Sequence, residues 1–285
     1  MQFRARAWTF SFVAVLALGC GSPDGGASRE VAAIISGAVD TSNQAVVAIQ
    51  GAAGACSGTI IAKQDATGYV LTAASCTISI DPTLIVQGDD ISAPGAIGYR
   101  VAEWQAHPMY DDGSREYNFA LLKFTGATAA TPMIAVATPA EDTLASGDTV
   151  ALSGYGVTSV AGEASTQRRS VQVAIDQVTD LQLLWSQASG GACSGDTGGP
   201  ALNRDGDRVV GVISHGDIEC NAVGVAGRPS AVFEDFIEPN VGAPTPTDAG
   251  NGSSCAVASG NPGHTPLIAC VAVALCLAVR RRAPL

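Results

Sequence analysis

The 285-residue sequence has few basic residues and few histidines. It holds 15 Lys and Arg against 26 Asp and Glu, a formal net charge of −11, and only three His. Five of the basic residues lie at the extreme ends, namely Arg4, Arg6, Arg280, Arg281 and Arg282. Without these five, the chain carries 10 basic and 26 acidic residues, a net charge of −16. Such a body repels a phosphate backbone, so the sequence argues against a nucleic-acid partner.

Charged residues of both signs are sparse. They make up 14% of the chain, whereas hydrophobic residues make up 47% and glycines number 33. Disordered chains have the opposite balance, with low hydrophobicity and high charge. No Cys and His cluster in the sequence has metal-ligand spacing, so we expect neither a metal nor a cofactor. The composition favours a folded, glycine-punctuated β protein of one large or two small domains.

Long hydrophobic runs are missing, but the N-terminal end carries a short one. Two arginines precede the apolar stretch WTFSFVAVLAL (8–18), which is too short to span a bilayer comfortably. This order is typical of a signal peptide, here residues 1–20. The motif ALGC (17–20) resembles a bacterial lipobox and predicts lipidation of Cys20, with ordinary signal-peptidase cleavage as the alternative. Residues 21–33 are then a linker or a propeptide-like segment.

The C-terminal end has a linker and a second short apolar run. Residues 241–254 are rich in Pro, Gly, Ser and Thr, and Cys255 follows them. The 13-residue run LIACVAVALCLAV (267–279) would rise only about 20 Å as a helix, against a hydrocarbon core of about 30 Å. Residues 255–285 resemble the MYXO-CTERM sorting tails of myxobacterial surface proteins, in which the cysteine is the processing point. A plain membrane anchor is the alternative, and both predict an exported domain held at the outer membrane or cell surface through its termini.

The middle of the chain, residues 34–240, consists of short apolar runs broken by glycine. Runs such as AVVAIQ (45–50), FALLKF (119–124) and RVVGVISHG (208–216) predict the strands of a barrel or a sandwich. The segment AVFEDFIEPNV (231–241) has apolar residues at helical spacing. We therefore expect an all-β body that ends in a short helix.

Six motifs of this middle region occur in the order found in chymotrypsin- and trypsin-like serine proteases, and the region is similar to that family. They are CSGTII (56–61), LTAASC (71–76), HPMY (107–110) followed by NFALLKF (118–124), SGYGVT (153–158), GACSGDTGGP (191–200) and VISHGDIEC (212–220). The resemblance implies two six-stranded antiparallel barrels packed face to face, with the site between them. It also implies two disulfides, Cys56–Cys76 and Cys193–Cys220, which suit an exported protein.

The family's Ser, His and Asp triad positions fall on Thr197, Ser75 and Asn118. The hydroxyl of Ser75 has no useful basicity near pH 7, so it cannot act as the general base. Neutral Asn118 would leave even a restored imidazole in the wrong tautomer, a change that lowers turnover by about 10⁴ in the family's worked template. Thr197 keeps a hydroxyl but adds a methyl group. These substitutions predict a non-catalytic homologue.

Other positions of the cleft keep residues that the family uses for binding. The resemblance assigns the oxyanion hole to the N–H groups of Gly195 and Thr197, and the primary pocket to Gly191, Ser214, His215 and Gly216. Gly191 offers no charge for Lys or Arg, and the edge at Ser214 and Gly216 can pair with an extended peptide. His215 is the candidate for a recruited base, with a polar wall residue as the alternative. His107 is placed in a surface loop.

The sequence keeps two residues that the family uses for activation, but it lacks the cleavage site that precedes them. Ile34 and Asp196 match the pair that forms in active family members after cleavage frees an Ile N-terminus. The preceding residues are Val31, Ala32 and Ala33, which offer no tryptic site. We therefore expect the chain to be used uncleaved.

The sequence leaves three functions open. The first is a non-catalytic surface protein that binds a peptide or protein ligand: a substrate-like peptide, a protease or a protease inhibitor. The second is an active serine-type endopeptidase that uses Thr197 with a recruited base. The third is a structural or adhesive protein that uses the fold only as a stable body, because fold alone does not decide function.

Overall fold

A computed structural model of the chain describes residues 34–159, 162 and 165–241. The predicted signal peptide with Cys20, the segment 21–33, all but the first residue of the linker, and the tail with Cys255 lie outside the described residues. Within the described part, no helix is long and apolar enough to cross a membrane.

Fifteen strands form within the described residues. They are β1 (Ala38–Val39), β2 (Val46–Gly51), β3 (Gly54–Gln64), β4 (Thr67–Thr72), β5 (Pro82–Gln87), β6 (Ile97–Ala106), β7 (Ala120–Thr125), β8 (Ala135–Val136), β9 (Thr149–Gly154), β10 (Arg169–Ala174), β11 (Gln177–Val178), β12 (Gln182–Ser186), β13 (Pro200–Leu202), β14 (Arg208–Gly216) and β15 (Val223–Gly227). One helix, α1 (Ala74–Ile80), lies between β4 and β5.

The N-terminal strands close into an antiparallel barrel in the order β2-β3-β4-β7-β6-β5. Closure leaves no strand edge unpaired, and the side chains that point inward fill the interior. Val47, Ile49, Ile60 and Leu122 are fully buried there. A Cβ on Gly58 would lie 2.7 Å from Val70 Cγ1 and 2.8 Å from Ile49 Cδ1, so the missing side chain at this position makes room for the core.

The second six-stranded barrel that the resemblance implies is not confirmed. The remaining strands form a nine-stranded sheet in the order β1-β10-β9-β13-β14-β15-β12-β11, with β8 paired to β14 outside this path. The ladder ends at β1 and β11, each a two-residue strand paired on one side. The trypsin-like, mostly β architecture itself is confirmed.

The predicted C-terminal helix is present but consists of three short helical segments in succession. They are a 3₁₀ turn (Pro229–Val232), a π-helical turn (Phe233–Ile237) and α2 (Glu238–Val241). Phe233, Phe236 and Ile237 are buried and belong to the same hydrophobic cluster as the barrel interior. Burial of these side chains explains the helical spacing seen in the sequence.

A buried arginine connects the two sheets. Arg168, which precedes β10, is fully buried and donates to Gly88 O at 3.1 Å and to the Tyr155 hydroxyl at 3.2 Å. Its guanidinium also pairs with Asp89 at 2.6 Å and lies 3.6 Å from Asp40. A buried charge is tolerated only when it is paired and hydrogen-bonded, and Arg168 meets both conditions.

Candidate active site

Ser75 and Asn118 are brought together by the pairing of two barrel strands. Thr72 at the end of β4 pairs with Ala120 at the start of β7, so the residues just beyond them meet. The backbone N–H of Ser75 donates to Asn118 Oδ1 at 2.8 Å, and Asn118 Nδ2 donates to Ser75 Oγ at 3.2 Å. Both residues are buried. Two of the three predicted triad positions therefore lie in direct contact.

The network continues from Asn118 into β14. Asn118 Nδ2 donates to Ser214 Oγ at 2.8 Å, and Ser214 Oγ lies 3.0 Å from His215 Nδ1. The N–H of Ser75 can pair only with an acceptor, which fixes the orientation of the Asn118 amide. Ser214 Oγ accepts from Asn118 and keeps both its own proton and a second lone pair. The direction of its hydrogen bond with His215 Nδ1 therefore depends on the tautomer of the ring.

Two effects act on the charge of His215. Burial lowers the pKa of this imidazole, and the nearby charge of Arg115 lowers it further. The ring is therefore neutral at pH 7. Among the described residues, the side chain of His215 is hydrogen-bonded to Ser214 and not to Thr197, the candidate nucleophile.

Thr197 lies on a tight glycine loop that contacts the barrel. Its carbonyl accepts from Ser57 N at 2.9 Å and lies 3.4 Å from the Sγ of Cys76, the neighbour of Ser75. Gly198 has φ +85°, and a Cβ there would collide with Thr72 Oγ1. Glycine is therefore required for Thr197 to approach the end of β4.

The N–H groups of Gly195 and Thr197 engage no hydrogen bond within the described part of the chain. Gly195 has φ +93°, a left-handed conformation that suits glycine. Its carbonyl oxygen is held at 2.9 Å by the hydroxyl of Ser57. Two backbone donors are therefore unengaged within the described residues, and their assignment to an oxyanion hole stays a prediction.

Asp196 is a fully buried carboxyl group between these two donors in sequence. It accepts from Gly156 N at 2.8 Å and from Cys193 N at 3.0 Å. Burial raises the pKa of Asp196 to about 7, although the two backbone N–H groups act in the opposite direction. No ion pair within the described residues reaches Asp196. Ile34 is also fully buried, and in the intact chain it has a peptide bond where a cleaved chain would have an ammonium group.

The edge of β14 near the cleft lacks a partner strand on one side. β13 begins at Pro200, which pairs with Val212, whereas β15 continues alongside His215 and Gly216. Beyond Val212, the described residues place β15 on one side of β14 and no strand on the other. The segment 214–216 therefore presents a free edge of the kind that pairs with extended peptides.

The primary pocket contains a residue that the sequence analysis missed. Gln187, just after β12, is 2% exposed, and its side-chain amide lies between Gly191 and Gly216. Gly191 was a sequence signal for such a residue, because a buried position without a side chain leaves space for the side chain of a neighbour. Nothing in the sequence indicated which neighbour would take it.

Both predicted disulfides are confirmed. Cys56–Cys76 joins β3 to α1 beside Ser75, and Cys193–Cys220 joins the Thr197 loop to the segment after β14. Each bridge therefore fixes one wall of the cleft. Such bridges stabilise small exported domains by about 2–4 kcal/mol each.

The placement of His107 in a surface loop is wrong, because its side chain is buried. The ring stacks on Tyr117 at 5.1 Å between centroids and meets the edge of Phe236 at 4.8 Å. Burial lowers the pKa of His107, and the charge of Asp235 acts in the opposite direction. His107 packs the loop before β7 against the C-terminal helical segment.

A groove of about 280 Å³ lies beside β6 and β7. Its lining includes Tyr69, Trp104, Lys123 and Asn240. None of the predicted site residues contributes to it. The chemistry of the candidate site and this groove are therefore separate features.

Comparisons with known proteins agree with this geometry. The chain is 32% identical over 184 residues to a trypsin of Simulium vittatum, which covers 56% of this chain and 70% of that protein. It is 29% identical over 197 residues to Trypsin 5G1 of Aedes aegypti, which covers 62% and 72%. The solved structure of human heparin binding protein matches with a TM-score of 0.63 at 22% identity, over 75% of this chain and 100% of that one, and shows the fold alone. The family model described as Trypsin matches residues 34–237, and the chain therefore belongs to the trypsin family of serine proteases.

Proposed function

We propose that this protein is a non-catalytic member of the trypsin family that binds extended peptide or protein segments in its former active-site cleft. The observation that carries the proposal is the closed network of neutral groups at Ser75, Asn118 and Ser214. It holds an amide and two hydroxyls where catalysis needs a carboxylate and an imidazole.

The chemistry of this network argues against turnover. Asn118 has its oxygen and its amide nitrogen engaged by Ser75 and Ser214, at 2.8 to 3.2 Å. Ser75, Asn118 and Ser214 are not basic near pH 7, so none of the three takes a proton from Thr197. Loss of a complete triad lowers turnover by on the order of 10⁶, and leaves only the oxyanion hole and binding.

The groups that bind a peptide backbone are retained. The free edge at 214–216 supplies main-chain donors and acceptors, and the N–H groups of Gly195 and Thr197 engage no hydrogen bond within the described residues, so they can donate to a ligand carbonyl. Main-chain hydrogen bonds of this kind give affinity that is independent of the side chains of the ligand. Substrate-like peptides, proteases with exposed loops and protease inhibitors share the required extended backbone.

We also place the protein outside the cytoplasm, at the outer membrane or cell surface. Two disulfides within the described residues favour an oxidising compartment. Attachment through a lipidated Cys20 or through the tail after Cys255 is part of the proposal. The relatives named above are insect proteins, so the bacterial origin implied by the two sorting signals stays a prediction.

One observation favours the second candidate, an active endopeptidase. His215 is neutral at pH 7 because burial and Arg115 lower its pKa, and a neutral imidazole has the form of a base. For this reaction the ring would have to form a hydrogen bond with Thr197 Oγ1, which the described structure does not contain. Binding without cleavage separates the two candidates.

The test is equilibrium binding of the purified full chain to a library of fluorescent hexapeptides, followed by mass spectrometry of the recovered peptides. We expect binding with the peptides recovered intact. As a matched control, N-methylation of the backbone of a bound peptide should weaken it at least tenfold, about 1.4 kcal/mol, because it removes main-chain donors. Cleavage that Thr197→Ala abolishes would establish the peptidase instead. Absence of any binding would leave only the structural or adhesive role.

A further inference from the structure

The backbone of Gln187 is fixed between two segments of the cleft. Its N–H donates to Ala222 O at 3.1 Å, and its carbonyl accepts from Gly190 N at 2.9 Å. Gly190 in turn precedes Gly191, and the residues after Ala222 form β15. The side chain therefore starts from a rigid position at the floor of the cleft.

The side-chain amide of Gln187 fills the space that two glycines leave empty. A Cβ on Gly191 would collide with Oε1 and would lie 3.0 Å from Cδ of Gln187. A Cβ on Gly216 would lie 2.9 Å from Nε2. Side chains at positions 191 and 216 would therefore both point at the same amide group, which occupies the interior of the primary pocket.

The side chain of Trp185, in β12, closes the space next to Gln187. A Cβ on Gly224, which pairs with Gly216, would collide with the indole ring of Trp185. Trp185 is 1% exposed. The side chains of Trp185 and Gln187 thus fill the space next to Gly224 and Gly216.

Hydrogen bonding alone does not account for the position of Gln187. Its Nε2 donates to Val223 O at 3.3 Å, a long contact, and its Oε1 has no partner within the described structure. A buried acceptor without a partner is unfavourable by about 1–3 kcal/mol. Filling an otherwise empty space between Gly191 and Gly216 offsets this cost, because voids forfeit packing contacts.

We propose that Gln187 is a built-in occupant of the primary pocket and thereby determines specificity. With the amide in place, a bound peptide can present only a small residue such as Gly, Ala or Ser at the anchor position. Large aromatic or aliphatic anchors are excluded for lack of volume. The inference rests on the proposed peptide-binding function and specifies which peptides bind. Occupation of the pocket by Gln187 can nevertheless be measured without any peptide.

The test compares four forms of the full chain: the parent, Gln187→Ala, Gln187→Leu and Gln172→Ala. Gln187→Ala empties the pocket, whereas Gln187→Leu refills it with a side chain of similar size and no amide. Gln172 is exposed on β10, so its replacement by Ala is the matched control for loss of a glutamine. Circular dichroism and disulfide content establish that each variant is folded.

The first readout is the binding of indole, a neutral aromatic probe, by ligand-observed NMR. Only Gln187→Ala is expected to bind it, as engineered cavities bind small aromatic molecules. The second readout is the affinity for peptides that differ only in an Ala or a Phe anchor. The parent should prefer Ala at least tenfold, and Gln187→Ala should reverse the preference.

Two results would overturn the inference: indole or Phe-anchored peptide binding to the parent, or a folded Gln187→Ala that excludes both. If Gln187→Ala binds indole while no form binds any peptide, the occupied pocket stands and the proposed peptide-binding function fails. If Gln187→Ala unfolds, the parent and Gln187→Leu still test the inference, because it requires both forms to exclude indole and to prefer the Ala anchor. Binding of indole by either form would contradict it.

Discussion

The side-chain oxygen of Asn118 accepts a hydrogen bond from the backbone N–H of Ser75 at 2.8 Å, while its amide nitrogen donates back to the Ser75 hydroxyl. The two positions thus keep the proximity that a carboxylate and an imidazole need. The groups that fill them are neutral and satisfy each other. Under the proposed non-catalytic function, the cleft keeps the architecture of a protease site without its acid–base chemistry.

Restoring all three triad residues should therefore restore hydrolysis. The variant Ser75→His/Asn118→Asp/Thr197→Ser is expected to cleave an Ala-anchored chromogenic ester at least about 10² times faster than the parent, because a triad acts as a unit and its full loss is on the order of 10⁶. Each single replacement should leave the rate unchanged. A silent but folded triple variant would show that the Thr197 loop is not aligned with the other two positions.

Asp196 should make the protein less stable as the pH rises. Its folded pKa is about 7 and its ordinary value is 3.8, so between these values the folded state holds a proton that the unfolded state has released. Stability from this group is full below pH 4, falls through the window from about pH 4 to 7, and is flat above it. The total is at most about 4 kcal/mol. Urea denaturation across this range measures the slope.

The variant Asp196→Asn isolates this carboxyl group from other titrations. It should be less stable at low pH, because an amide places an N–H against one of the two backbone donors, and its stability should lack the fall between pH 4 and 7. A variant with the same slope as the parent would assign the pH dependence to other groups.

Arg168 should be among the most sensitive positions of the fold. Replacing it with Ala leaves Asp40 and Asp89 without their buried cation and removes the donor to Gly88 O. Loss of one partner of a buried pair destabilises by about 3–5 kcal/mol. Arg204→Ala is the control, since this exposed side chain should change stability by less than about 0.5 kcal/mol. Equal denaturation midpoints for the two variants would contradict the structural role of Arg168.

The disulfide Cys193–Cys220 should matter for binding as well as stability. The double replacement Cys193→Ser/Cys220→Ser is expected to lower the free energy of unfolding by about 2–4 kcal/mol. It frees the Thr197 loop from the segment after β14, so peptide affinity measured by anisotropy should fall at temperatures where the variant is fully folded. Unchanged affinity in the folded variant would mean that the free edge of β14 does not need this bridge.

Motif order predicted much of this site because the family's strands place distant residues at fixed positions. Cys56 with Cys76 and Cys193 with Cys220 follow from that order, and the bonds form as expected. The contact between Ser75 and Asn118 depends on the register of β4 with β7, and the motifs LTAASC and NFALLKF mark these two strands.

Other features depend on tertiary packing that no local pattern encodes. The sequence shows His107 as a polar residue in a Pro-containing loop, but Tyr117 and Phe236 bury it from two distant parts of the chain. Gln187 lies in a motif-free stretch, and its role depends on two glycines 4 and 29 positions away in sequence.

The measurement that tests the central claim most directly is the peptidase activity of the purified full chain beside Thr197→Ala, on a mixed peptide library with small anchors. The triple variant with the restored triad serves as the reference for an active site. We predict that the parent and Thr197→Ala are equally silent. Cleavage by the parent that is lost in Thr197→Ala would contradict the account, and would identify Thr197 as a nucleophile with a base recruited from elsewhere.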